Sequence, residues 1–316
     1  MQTITMHMVT TLEQRELHEL RGVCLETETP HTSFEDVMRD SPDRKYSPEW
    51  LQTTRPQPMY DETIEKFYKE FYTDYTSQNL DQTFKDEFIK WLKGHEMNSF
   101  RGIEAFPRLD IIQGCTQFID DLYQRCGDRL KTIEGDYKYH WRLNNNIEYF
   151  DTNNVGNYKG YELLISMPFP AFGDVHPKMY SILDECYNND IPVHIDGAWI
   201  GCSRDIEFNF SHPAIHTFAI SLSKGGLPNN RIGIRFARNT PEGAITIMNN
   251  FNMNQQSLMS VGIAFLRQFE PEYFWRKYES KYFKVCKDFN LTPTKSIHIA
   301  LQGEQPVGIR PLLRAK

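Results

Sequence analysis

The chain has 316 residues, with 35 basic against 42 acidic side chains and a formal net charge of −7. That length fits one large or two modest domains with a substantial core. The acidic balance argues against a nucleic-acid protein, which presents a basic face, and no apolar run of about 18 residues reads as a membrane span.

The N-terminus, MQTITMHMVTTLEQRELHEL, lacks the cationic start and apolar stretch of a signal peptide. Cys24, Cys115, Cys126, Cys186, Cys202 and Cys286 form no CxxC pair. They read as reduced thiols of a cytoplasmic protein, with neither a disulfide framework nor a metal site expected.

Residues 1–60 are polar and mixed, and Ser41-Pro42-Asp43-Arg44-Lys45-Tyr46-Ser47-Pro48 reads as loop. Tyr60 to Leu92 has helical spacing. Phe84, Phe88, Ile89 and Leu92 share one face, and the helix exits at Lys93-Gly94. From about residue 105 strands and helices alternate. Leu109–Ile112, Leu163–Ile165, Ile191–Ile195, Phe218–Ile220 and Ile232–Ile234 are strand candidates. Thr116–Cys126, with Phe118, Ile119, Leu122 and Tyr123 inward, and Met179–Tyr187 are helical between them. Residues 241–289 read as mostly helical, and Ser296–Leu301 and Val307–Ile309 as a strand pair. The order predicts an α/β fold of three layers, a mostly parallel sheet with helices on both faces, plus a small, short C-terminal α+β domain. The expected division is an N-terminal segment with helices (1–104), a large ligand-binding domain (105–240), and a helical linker with the small domain (241–316).

In such a sheet, ligands collect at the carboxyl ends of the strands. Three ends carry distinctive residues. Gly114-Cys115-Thr116 opens a helix, where backbone N–H groups and a hydroxyl suit a phosphate; any strand–Gly–helix turn has the same form. Asp196, in His194-Ile195-Asp196-Gly197-Ala198-Trp199, ends a buried strand. A carboxylate there needs a cation or several donors, although Asp-Gly is also a common turn pair. Lys224 follows an apolar strand in Ser221-Leu222-Ser223-Lys224-Gly225-Gly226, where a partly desolvated amine becomes a nucleophile toward carbonyls; a surface loop lysine is the plain alternative. Arg231 offers a guanidinium fork for phosphate. Taken in order, the set asks for a ligand with a phosphate, a carbonyl and a cationic ring, which pyridoxal 5′-phosphate combines. A carboxylate about 3 Å from a pyridinium gains roughly 5 kcal/mol before desolvation, enough to keep the ring protonated as an electron sink.

At these motifs the chain resembles the fold type I superfamily of pyridoxal-phosphate-dependent enzymes, most of all the class I/II aminotransferases, over about residues 105–240. The resemblance implies an aminotransferase acting on an amino acid and a 2-oxo acid. Lys224 would form the Schiff base and shuttle the proton, and Asp196 would hold the ring nitrogen. Gly114, Cys115, Thr116, Ser221, Ser223 and Arg231 would surround the phosphate, Tyr137 would stack on the ring, and Arg310 would bind the substrate carboxylate. It also implies a homodimer, with Tyr72 or Tyr75 of one copy reaching the phosphate of the other, and neither a nucleic-acid nor a membrane partner. The chain departs from the pattern in four ways. Phe169 stands where the family has an Asn that contacts the cofactor hydroxyl, and Trp199 where it has a Tyr; the chain is shorter, and only six residues follow Arg310.

His194-Ile195-Asp196-Gly197-Ala198 with Ser223-Lys224-Gly225 is also similar to the threonine-aldolase and group II decarboxylase relatives, which implies a lyase or decarboxylase as the alternative. Here His194 is expected to pack behind the sheet. A protein of this fold that binds without turnover is the third reading.

Overall fold

The computed structural model describes residue 59 and residues 61–70, 79–143 and 147–314. Cys24, the loop at 41–48, Tyr72 and Tyr75 lie outside the described residues. In chain order the helices are α1 (Glu62–Glu70), α2 (Leu80–Lys93), α3 (Cys115–Cys126), α4 (His140–Leu143), α5 (Met179–Asn188), α6 (Ala244–Asn250), α7 (Gln256–Gln268), α8 (Tyr273–Asp288) and α9 (Arg310–Arg314). The strands are β1 (Ser99–Arg101), β2 (Arg108–Ile112), β3 (Leu130–Lys131), β4 (Glu162–Ser166), β5 (Val193–Asp196), β6 (Glu207–Asn209), β7 (Ile215–Ser221), β8 (Gly233–Ala237), β9 (Thr292–Pro293), β10 (Ile299–Gln302) and β11 (Gln305–Gly308).

Six strands form the central sheet in the order β2-β8-β7-β5-β4-β3. Strands β3, β4, β5 and β7 pair in parallel, while β8 runs antiparallel to both of its neighbours, β7 and β2. The β8 segment was expected as one more strand of the alternating parallel series; its reversal follows from its connection. Between Ser221 and Gly233 the chain contains no helix, and a parallel return needs a crossover, usually helical. Strand β2 consequently points the same way as β5 and β7, so its exit at Gly114 lies on the same edge of the sheet as Asp196 and Ser221. Strand β3, two residues long, was not legible as a strand.

Side-chain alternation along these strands divides the interior. Leu164 and Ala219 pack with Phe118, Ile119 and Leu122 of α3. Ile165, Ile195, Phe218 and Ile220 face the larger core with α2, α5 and α7. There Phe218 stacks between Phe210 and Phe236, with centroids 4.1 and 4.2 Å away. On the α3 side, fully buried Arg235 of β8 joins Asp110 of β2 (2.6 Å), Asp121 of α3 (3.3 Å) and Thr246 of α6 (2.7 Å). A buried guanidinium needs such partners, and this one fixes α3 and α6 against the sheet edge.

Helix α2 buries Phe84, Phe88 and Leu92 as its spacing predicts, but Trp91 completes the face and Ile89 is only partly buried. Gly94 ends the helix, its N–H reaching the carbonyls of Lys90 and Trp91 at 3.0 Å. At the C-terminal end, β9, β10 and β11 make a small antiparallel sheet. The segment before β10 returns to the loop after Asp196: the Ile297 N–H donates to the Cys202 carbonyl at 3.0 Å, and Ser203 bridges to Ser296.

Candidate active site

At the carboxyl edge of the sheet a cleft of about 610 Å³, counting its open mouth, is lined by Cys115, Thr116, Tyr137, Ser166, Asp196, Trp199, Ser221, Ser223, Lys224 and Arg231 with Ile119, Pro168, Pro170 and Ala198. Lys224 and Asp196 therefore share one cleft.

Their approach is built from backbone. Asp196 ends β5, and Lys224 lies three residues past the end of β7, the paired neighbour. The two loops that follow touch through glycines: a Cβ at Gly201 would lie 3.3 Å from the Gly225 Cα, inside comfortable contact. Side chains at both positions would hold the loops apart.

Asp196 is almost fully buried and accepts the Ala198 N–H at 2.9 Å. Burial, reinforced by the Asp136 carboxylate, pushes its carboxyl up to about 6, although bonds from the Cys115 thiol and Ala198 and the charge of Lys224 pull the other way. A carboxylate so placed favours a cation in the cleft.

The anion end forms where α3 begins. Gly114 takes φ +79°, and a Cβ there would meet Arg231 Nη2 at 3.0 Å and Ser223 Oγ at 3.2 Å. Only glycine leaves this cradle open. Arg231 Nη2 donates to Thr116 Oγ1 at 2.6 Å, and the Ser223 N–H reaches Ser221 Oγ at 3.4 Å. Ser223 Oγ itself is buried with no hydrogen-bond partner. An orphaned hydroxyl beside a guanidinium and a helix N-terminus is a donor set for a phosphate or similar anion.

Tyr137 also lines the cleft and stacks on Tyr139 at 5.9 Å. Its N–H donates to Asp136 Oδ1 at 2.6 Å. The same carboxylate takes the Ser166 N–H at 2.9 Å and a short bond from the Ser166 hydroxyl. Ser166 pairs with Asp196 in register and so presents a hydroxyl beside it. Sequence reasoning missed both Ser166 and Asp136. Ser166 is the next residue after the apolar run Leu163–Ile165, and strand alternation would have aimed it to the Leu164 side.

Ten of the eleven expected site residues meet here, Gly114 through its contact with Arg231 and Ser223 and the rest as lining. Arg310 does not line the cleft; it is 2 % exposed at the start of α9, packed in the C-terminal unit. Phe169 stands where the family has its Asn. It does not occupy a cofactor-facing position: it is buried, stacked on Phe172 at 5.6 Å and against His176, and Ser166, Pro168 and Pro170 form that wall instead. His194 is not behind the sheet. It shares the face of Asp196 two residues deeper, about 7 Å along the strand. There Nε2 meets Glu162 and Nδ1 meets Thr217, both at 2.7 Å. Burial lowers its pKa, so it acts as a neutral structural bridge away from the cleft.

No protein-family model and no curated protein matches the chain. Solved structures do, by shape. A pyridoxal-phosphate-bound C–S lyase from Staphylococcus hominis, complexed with L-cycloserine, superposes with a TM-score of 0.58 at 14% identity over 87% of this chain and 81% of that one. The alanine aminotransferase of Pyrococcus furiosus gives 0.54 at 13% identity over 83% and 74%. The chain thus has the fold type I architecture, the fold shared by these pyridoxal-phosphate-dependent aminotransferases and lyases.

Proposed function

We propose that this chain binds pyridoxal 5′-phosphate and is an aminotransferase that moves an amino group between an amino acid and a 2-oxo acid. One observation carries the reading: a lysine, a buried carboxylate and an anion cradle line a single cleft at the carboxyl edge of the sheet. The residues fit the group. The Gly114 cradle, the orphaned Ser223 hydroxyl and Arg231 suit its phosphate, and Asp196 suits its ring nitrogen. When bound, the cofactor supplies an aldehyde that captures amines and a protonated ring that draws electrons from the α-carbon.

The chain's own work is then positional and acid–base. Thr116, Ser223, Arg231 and the first N–H groups of α3 hold the phosphate. Asp196 would keep the ring nitrogen protonated, Tyr137 would stack on the ring, and Ser166, fixed by Asp136, offers a hydroxyl on the Asp196 side. Lys224 Nζ would hold the cofactor and would serve as the base that moves the proton of the substrate α-carbon. Cys115, Ser221 and Trp199 close the walls. Arg310, as the resemblance implies, would bind the substrate α-carboxylate; it is buried next to Ile309, whose N–H donates to the His298 carbonyl behind Trp199.

The reading includes a homodimer, as the resemblance implies, and a cytoplasmic location, which the five free, buried cysteines among the described residues support. No helix among the described residues is long and apolar enough to cross a membrane.

Product analysis tests the reaction class. With an amino donor and a 2-oxo acid, the expected products are the exchanged oxo acid and amino acid in equal amounts. Release of thiol or carbon dioxide without need of an oxo acid would replace transamination by lyase or decarboxylase chemistry.

A further inference from the structure

Once the phosphate end, Asp196 and Lys224 are assigned, one stretch of the cleft remains, and it is uncharged. Pro168, Pro170, Ala198 and Trp199 form it, with Tyr137 at its edge. Trp199 is held from behind. The His298 ring meets its face edge-on, with centroids 4.3 Å apart at 81°. His298 Nδ1 lies 3.2 Å from the Cys202 thiol, and His298 Nε2 is buried without a hydrogen-bond partner. Complete burial and the nearby charge of Lys224 keep this imidazole neutral. The wall is therefore aromatic and fixed, and the imidazole packed on it carries no charge.

Two aromatic side chains stay out in solvent beside the same wall. Tyr137 is 39 % exposed and Phe172 is 40 % exposed. Their segments adjoin, since a Cβ at Gly135 would lie 3.5 Å from Ala171 and from the Phe169 ring. Exposed aromatic surface at the rim of a cleft marks a place that takes an apolar group.

Lys224 and Arg231 are the cations among the described lining residues, and both are committed to the cofactor. The substrate α-carboxylate is left to Arg310 in that reading, whereas a second carboxylate seated against this wall would be desolvated without a counter-charge, and burying an unpaired charge is strongly unfavourable. A second ammonium would find only Asp196, which already answers the ring nitrogen. Building on the cofactor reading above, we propose that the amino substrate carries an uncharged apolar side chain, an aromatic ring or a thioether, seated against Trp199, Pro168 and Pro170.

The test uses the cofactor-loaded protein. L-phenylalanine, L-methionine, L-aspartate and L-lysine are compared by kcat/KM. Separately, 3-phenylpropanoate and succinate, which have no amine to react, are titrated calorimetrically. The expected preference for phenylalanine or methionine over aspartate and lysine is about 100-fold, and 3-phenylpropanoate should bind at least about 30-fold tighter than succinate. Trp199→Ala should cut the phenylalanine-to-aspartate ratio about tenfold, and Trp199→Phe should retain it. Aspartate or lysine reacting as well as phenylalanine, or succinate binding as tightly as 3-phenylpropanoate, overturns the proposal while leaving the cofactor reading standing. A protein that takes up no pyridoxal phosphate overturns both.

Discussion

Asp196 is the residue at which burial and chemistry meet most sharply. Its carboxyl is raised from 3.8 to about 6, chiefly by burial. Between those values the folded, cofactor-free protein binds more protons than the unfolded chain, so its stability falls as pH rises from about 4 to 6, by up to about 3 kcal/mol. Urea unfolding at several pH values should show this loss in the wild type and not in Asp196→Asn; equal slopes in the two proteins would contradict the assignment. Bound cofactor should also reduce the loss, because a ring cation offsets the buried charge. Arg231 acts at the other end. Arg231→Ala removes the guanidinium that donates to Thr116 and should weaken pyridoxal-phosphate binding by about 1.5–3 kcal/mol, read by titration, with little change in melting temperature of the empty protein.

At the scale of elements, what matters is where strands end and how closely loops approach. Gly114→Ala would place a Cβ 3.0 Å from Arg231 at a φ of +79°. The expected cost is about 1–2 kcal/mol of stability, with a larger proportional loss of phosphate affinity, measurable by chemical unfolding and cofactor titration side by side. The Arg235 bridge between β2, α3 and α6 is purely structural. Arg235→Ala leaves Asp110 and Asp121 buried and uncompensated and should destabilise the fold by about 3–5 kcal/mol. The strands that carry the site were legible because burial on both faces makes them continuous apolar runs: Leu163–Ile165, Ile191–Ile195 and Phe218–Ile220. The direction of β8 was not carried by such a run, since only its helix-free connection sets it. Ser166 was hidden because its polarity ended the apolar run one residue before the strand itself ends.

Across the whole molecule, one core runs from Met59 to Leu313, joining the N-terminal helices, the sheet and the C-terminal unit. A single cooperative unfolding transition is therefore expected by calorimetry, and two separated transitions would show independent units. The long-range contacts that complete the site are those the sequence could not disclose. Asp136 reaches Ser166 across 30 residues, and His298 reaches Cys202 across 96. Both depend on where long connections return, a property of packing rather than of local pattern. Gly114, Asp196, Lys224 and Arg231, by contrast, sit at strand ends and helix starts, where residue type and local context suffice to mark them. Arg310 was marked by the resemblance at Gly308-Ile309-Arg310 rather than by local chemistry, and it is 2 % exposed at the start of α9.

The central claim is that Lys224 and Asp196 hold one pyridoxal phosphate between them. The most direct test is the visible absorption spectrum of purified protein with added pyridoxal phosphate, for the wild type and for Lys224→Ala. The account predicts a protein-bound absorption band in the wild type that borohydride fixes onto Lys224 and that the variant lacks. A band that persists in Lys224→Ala, or no bound cofactor in the wild type, would contradict it.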